Sequence, residues 1–172
     1  MSVYRVNSGF RVCLIIALMS LGLSASAQTR YPQGLEQVGQ ARLSLLWLDI
    51  YDARLFSPDG AYRAGEAPLL LELTYHRAIS SEELVEETLS QLEGRVDALA
   101  VPRNRLNKLL PSVDDGDQLA FYLSPDGRGA FYFNREYLGE LENSDFNRAF
   151  LDIWLAPDSD YPELTQQLIG KE

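Results

Sequence analysis

Gly39-Gln-Ala-Arg-Leu-Ser-Leu-Leu-Trp-Leu-Asp-Ile-Tyr-Asp-Ala-Arg-Leu-Phe56 carries apolar residues on both faces of what reads as one long strand, Arg42 to Phe56. A strand of that kind is expected at the centre of a sheet, covered on both sides. Arg42 enters this apolar run near its start. An unpaired buried charge is very costly, so its guanidinium needs an anionic partner or a route to water from the strand end. Asp49 and Asp52 flank Tyr51 in the same run. A β-bulge that turns both acids outward accounts for the pair better than general acid–base work does.

Further strands are expected over Pro68 to Tyr75, Asp117 to Leu123, Arg128 to Asn134 and around Tyr137 to Leu141. Leu69, Leu71, Leu73 and Tyr75 alternate with their neighbours, as do Leu119, Phe121 and Leu123, the period of a strand with one buried face. Ser57-Pro-Asp-Gly60 and Ser124-Pro-Asp-Gly127 are the same turn signal, each following an apolar run. Ser80-Ser-Glu-Glu83 is a capping box, and Leu84, Thr88, Leu89, Leu92 and Val96 follow at helical spacing. Shorter helices are expected over Arg103 to Leu110 and from Tyr161-Pro-Glu to near Gly170. Between them lies a helix capped by Asn143 or Ser144, striped by Phe146, Ala149, Phe150, Ile153 and Trp154, and closed by Pro157. Strands, helices, a β-meander and then helices predict an α+β fold, an antiparallel sheet with its helices on one side.

Residues 1–27 read as a cleaved secretory signal, which leaves residues 28–172 as one domain. Arg5 and Arg11 form the basic start, Leu14 to Leu23 the short apolar core, and Ala25-Ser-Ala27 the cleavage pattern. That core is well short of the ~20 residues a stable membrane span needs. The expected compartment is the periplasm. Cys13 is the chain's single cysteine, so the mature domain has no disulfide and no thiol chemistry. The formal net charge of −10 becomes more negative once Arg5 and Arg11 leave, which argues against nucleic acid as a partner.

Catalytic and metal motifs are sparse. His76 is the single histidine, so no multi-histidine metal site forms, and a solvent-facing strand end is its expected position. No Gly-x-Ser-x-Gly elbow, phosphate loop or dinucleotide fingerprint is present. Asp114-Asp-Gly-Asp117 lacks calcium-loop spacing and reads as a tight turn. No metal and no cofactor is expected. Aromatic residues are plentiful, and Arg42, Tyr75 and Arg77 could place charge and hydroxyl donors at the end of an apolar cleft, the usual plan of a small-molecule site.

Gly39-x-Ala-Arg42, Trp47-x-Asp-Ile-Tyr-Asp-Ala-x-Leu55 and Leu69-x-Leu-Glu-Leu-x-Tyr-x-Arg-x-Ile-Ser80 resemble the bacterial, exported chalcone isomerase-like family. So do Pro111-x-Val-x-x-Gly-Asp117, Phe131-Tyr-x-Asn134 with Leu138-Gly139, and Phe146-x-Arg-Ala-Phe-x-x-Ile-Trp-Leu155. The resemblance implies an open-faced β-sandwich of chalcone isomerase type, a large antiparallel sheet covered by helices with a ligand cleft between the layers. Relatives of this fold either cyclise chalcones or bind fatty acids, and both keep an arginine near the position of Arg42. The threonine of the enzymes falls near Leu46, and the hydroxyl of their late helix near Ile153. The tyrosine and asparagine of their middle helices have no counterpart here.

The leading expectation is therefore a non-catalytic domain that binds a small apolar or aromatic acid, such as a fatty acid. Arg42, Tyr51 and Tyr75 are its candidate ligand-binding residues, with no catalytic residue assigned. An isomerase or lyase acting on chalcone-like enones, and a protein-interaction module without a ligand, are the alternatives.

Overall fold

A computed structural model of the chain describes residues 30–95 and 101–171. The expected signal segment and Val96 lie outside the described residues. Six strands form one sheet: β1 (Glu36–Leu45), β2 (Leu48–Ser57), β3 (Leu69–Tyr75), β4 (Gln118–Leu123), β5 (Gly129–Phe133) and β6 (Glu136–Leu141). Every strand pairs antiparallel with its neighbour in sequence order. Helices α1 (Ser81–Leu92) and α2 (Arg103–Leu109) join β3 to β4, while α3 (Ser144–Leu155) and α4 (Pro162–Leu168) follow the sheet. The architecture is the α+β open sheet covered by helices that the alternation and capping signals predict.

The run from Arg42 to Phe56 folds as a hairpin rather than as one central strand. Leu45 pairs with Leu48 across a turn at Leu46 and Trp47. Four consecutive large apolar residues, with no glycine or asparagine among them, hide that turn from a pattern search. Leu46 takes φ 58, a conformation that bulky side chains rarely adopt. β1 is consequently an edge strand. α4 packs against it so closely that a Cβ on Gly39 would lie 2.2 Å from the Gln167 carbonyl oxygen.

Ser80 and Glu83 close the expected box at the start of α1, through Glu83 N–H to Ser80 Oγ at 3.2 Å and Ser80 N–H to Glu83 Oε2 at 2.9 Å. Asn143 caps α3 by accepting the Phe146 N–H at 3.0 Å. Ser57-Pro-Asp-Gly60 marks the exit from β2, and Ser124-Pro-Asp-Gly127 turns the β4–β5 hairpin. Asp117 Oδ2 accepts the Asp114 N–H at 2.8 Å, completing the tight turn into β4.

One sheet face carries the main core. Leu71, Leu73, Phe121 and Phe131 meet Phe146, Phe150 and Trp154 of α3 and Val85 and Leu92 of α1. Each such side chain contributes roughly 1.5–3 kcal/mol on full burial. Asn147, fully buried within α3, donates to the carbonyls of Gly127 and Leu141 at 3.0 and 2.8 Å and pins the helix to the sheet's far end. The other face holds a smaller cluster of Leu70, Ala120, Ala130 and Tyr132, packed under Tyr31 and Leu35 from the segment before β1. Buried Glu72 is satisfied there by Arg54 at 2.9 Å and by the Tyr31 hydroxyl.

Candidate functional site

A cavity of about 340 Å³ lies between the sheet and helices α1 and α3. Strand alternation sends Leu71 and Leu73 of β3, Phe121 of β4 and Phe131 of β5 into it from below. Leu84 and Thr88 of α1 and Phe150, Ile153 and Trp154 of α3 close it from above. The helical residues recur three or four positions apart, so each helix gives one stripe to the cavity. The volume is at the small end of the roughly 300–1,000 Å³ typical of ligand pockets.

Polar groups converge at one end. Tyr51 of β2 and Tyr75 of β3 are cross-strand partners, buried edge to face with ring centroids 5.8 Å apart. Trp154 donates its indole N–H to the Tyr51 hydroxyl oxygen at 2.9 Å. Tyr75 lines the cavity and is almost wholly buried. Burial pushes both phenols far above the ordinary tyrosine range. They are therefore neutral O–H groups presented to apolar space, suited to a carbonyl or carboxyl oxygen.

Arg77, two residues beyond Tyr75, is exposed at the rim and lines the same cavity, with Glu83 and Glu87 of α1 nearby. Glu83 is engaged in the capping box. Bonds from the Ser80 backbone and hydroxyl, and then the field of Arg77, hold its carboxyl below the usual range. Arg77 thus supplies positive charge at a rim that is otherwise acidic.

Arg42 is not grouped with these residues. It stands between Ala41 and Leu43, which face the helices, so its side chain projects from the opposite, open face. There it binds Asp49 at 2.8 Å and Asp52 at 2.6 Å with about half its side chain exposed. The hydrogen bond from Arg42 holds the Asp52 carboxyl below the usual range, and a hydrogen bond from Ser44 does the same for Asp49. A register shift between Leu43 and Ser44 leaves Ile50 unmatched on β2. That bulge buries Ile50 and Tyr51 together and sends both aspartates outward. The guanidinium finds both its partner and water, neither of them inside the cleft expected from sequence. His76, expected to face solvent, is half-buried with Nε2 2.9 Å from Asp52 Oδ2. Among the described residues, no group of acidic, histidine or cysteine side chains could hold a metal ion.

Trp154 is the site residue that sequence reasoning placed only in the core stripe. Its pairing with Tyr51 joins residues 103 positions apart, and nothing local to either announces it.

The model of the family described as "Chalcone isomerase-like" matches residues 33–170. An uncharacterized protein of Haemophilus influenzae is 31% identical over 142 residues, which cover 79% of this chain and 68% of that protein. Among solved structures, a fatty-acid binding protein of Arabidopsis thaliana superposes with a TM-score of 0.64 over 82% of this chain and 89% of its own, at 9% identity. At that identity the likeness establishes the fold alone. No helix among the described residues is long and apolar enough to cross a membrane.

Proposed function

The chain belongs to the chalcone isomerase-like family, and on that premise we propose that it is an exported, periplasmic protein that binds one slender apolar molecule with a carboxyl head, a fatty acid being the leading class. The cavity carries this reading, because its lining is mainly apolar and includes the Tyr51 and Tyr75 side chains. The head accepts hydrogen bonds from Tyr51 and Tyr75 and takes its charge balance from Arg77 at the rim. The tail runs toward Phe121, Phe131 and Phe150. The Arabidopsis fold neighbour, named as a fatty-acid binding protein, supports the ligand class. Arg42 takes no part in binding.

The cyclisation reading has weaker support. Leu46, near the position of the enzymes' threonine, sits at the exposed hairpin tip, and Ile153 brings a hydrocarbon to the cavity wall where they have a hydroxyl. Those positions offer nothing to orient a water or polarise a ketone.

Titration with a saturated fatty acid, followed by native mass spectrometry, tests the proposal. The expected result is one acyl adduct per chain, lost when Ile153→Trp fills the cavity and retained in Arg42→Ala. Absence of any adduct, or an adduct indifferent to Ile153→Trp, overturns it.

A further inference from the structure

The β1–β2 hairpin ends in an apolar tip that the fold leaves uncovered. Leu46 and Trp47 are 88% and 82% exposed, and Leu45 and Leu48, one at each flank, are 46% and 47% exposed. Together they form one contiguous patch, whereas single exposed apolar residues need no explanation. No charged residue interrupts Leu45–Leu48. The nearest acids on the hairpin, Asp49 and Asp52, are already bound by Arg42.

The patch is continuous with the cavity. Leu43, Leu45 and Ile50 of the same hairpin line the cavity beside Tyr51, so the hairpin carries apolar side chains from its tip to the cavity wall. We propose that this tip is a membrane-docking element that seats the cavity entrance on a lipid bilayer of neutral headgroups.

Three observations favour a bilayer over a protein partner. The tip offers four exposed side chains on one hairpin turn, whereas each side of a stable protein complex contributes about 20–30 residues. Trp47 at the apex suits the headgroup boundary, where its ring is buried and its N–H remains hydrated, while the leucines reach the acyl chains. Pairing of Leu45 with Leu48 keeps the backbone bonded up to the turn, so shallow insertion leaves few polar groups unsatisfied. The strongly acidic composition sets the lipid preference, because anionic headgroups repel the chain. Docking stands independently of the ligand; transfer of an acyl chain between bilayer and cavity rests on the binding reading above.

Flotation of the protein without its signal segment (residues 28–172) with phosphatidylcholine vesicles tests the proposal, and the quenching by brominated acyl chains that is lost in Trp47→Phe is the depth probe, because Trp154 lines the cavity. Wild type is expected to float and to be quenched. Leu46→Ser combined with Trp47→Ser is expected to lower partitioning roughly ten-fold or more, since each side chain forfeits its burial. Both positions are exposed, so the thermal midpoint of the double variant verifies its fold, and adduct formation with dissolved fatty acid verifies its cavity. Three outcomes overturn the proposal: no flotation of wild type, equal flotation of the double variant, or concentration-dependent dimers lost in that variant, which would make the tip an interface between copies.

Discussion

Trp154 of α3 donates to the hydroxyl oxygen of Tyr51 on β2 at 2.9 Å, and this bond fixes the polar end of the cavity. An oxygen occupied as an acceptor leaves its own proton for another group. With the neutral Tyr75 hydroxyl beside it, the cavity offers two phenol donors to one acceptor. We expect Tyr51→Phe and Tyr75→Phe each to weaken fatty-acid binding about five-fold, the value of one neutral hydrogen bond of roughly 1 kcal/mol. Calorimetric titration of the two variants measures the loss, and binding unchanged in both removes the tyrosines from the site.

The two arginines separate by face. Arg77→Ala is expected to weaken binding of a fatty acid by at most about five-fold, on the scale of about 0.2–1 kcal/mol for exposed charge pairs. Binding of the corresponding methyl ester should not respond to it, and the effect should shrink as salt is raised. Arg42→Ala is expected to leave both ligands' affinities unchanged while lowering the thermal midpoint, because Asp49 and Asp52 then face each other without their shared cation. Parallel titrations of acid and ester in both variants distinguish the roles.

Leu46 sits at φ 58, where an L side chain is strained by about 1–2 kcal/mol. Leu46→Gly relieves that strain and should raise the thermal midpoint, while removing part of the docking surface and weakening vesicle flotation. A residue kept for the fold alone would show no such opposition of signs. Differential scanning calorimetry and flotation on the same sample measure both.

Acid should loosen the hairpin neck. The folded-state pKa of Asp52 is depressed, first by the hydrogen bond from Arg42 and then by that from His76. A depressed carboxylate contributes stability that is complete above its unfolded value, about 3.9, and is lost as pH falls through the lower folded value. Asp52→Asn should therefore be less stable than wild type at neutral pH by a small margin, the group being part-exposed. The gap should close below about pH 4. Thermal midpoints of both proteins across that range measure the convergence.

The sheet and helices were legible because their signals are local. Leu69, Leu71, Leu73 and Tyr75 alternate, Ser80 and Glu83 announce α1, and Pro-Asp-Gly marks two turns. The β1–β2 hairpin was not legible, because its turn uses Leu46 and Trp47 where glycine or asparagine would normally signal one. The facing of Arg42 depends on that turn. An arginine in an apolar strand needs an anionic partner or a route to water, and on the edge hairpin Arg42 has both, opposite Asp52 and half exposed. Tyr51 and Tyr75 could be named as donors from sequence, but their contact with each other and with Trp154 depends on pairings between distant segments.

A crystal structure with a fatty acid brominated near its methyl end tests the central claim most directly. The account predicts anomalous bromine density among Phe121, Phe131 and Phe150, with the carboxyl within hydrogen-bonding distance of the Tyr51 or Tyr75 hydroxyl and facing Arg77. Bromine on the open face beside Arg42, or a cavity that stays empty at saturating ligand, would contradict it.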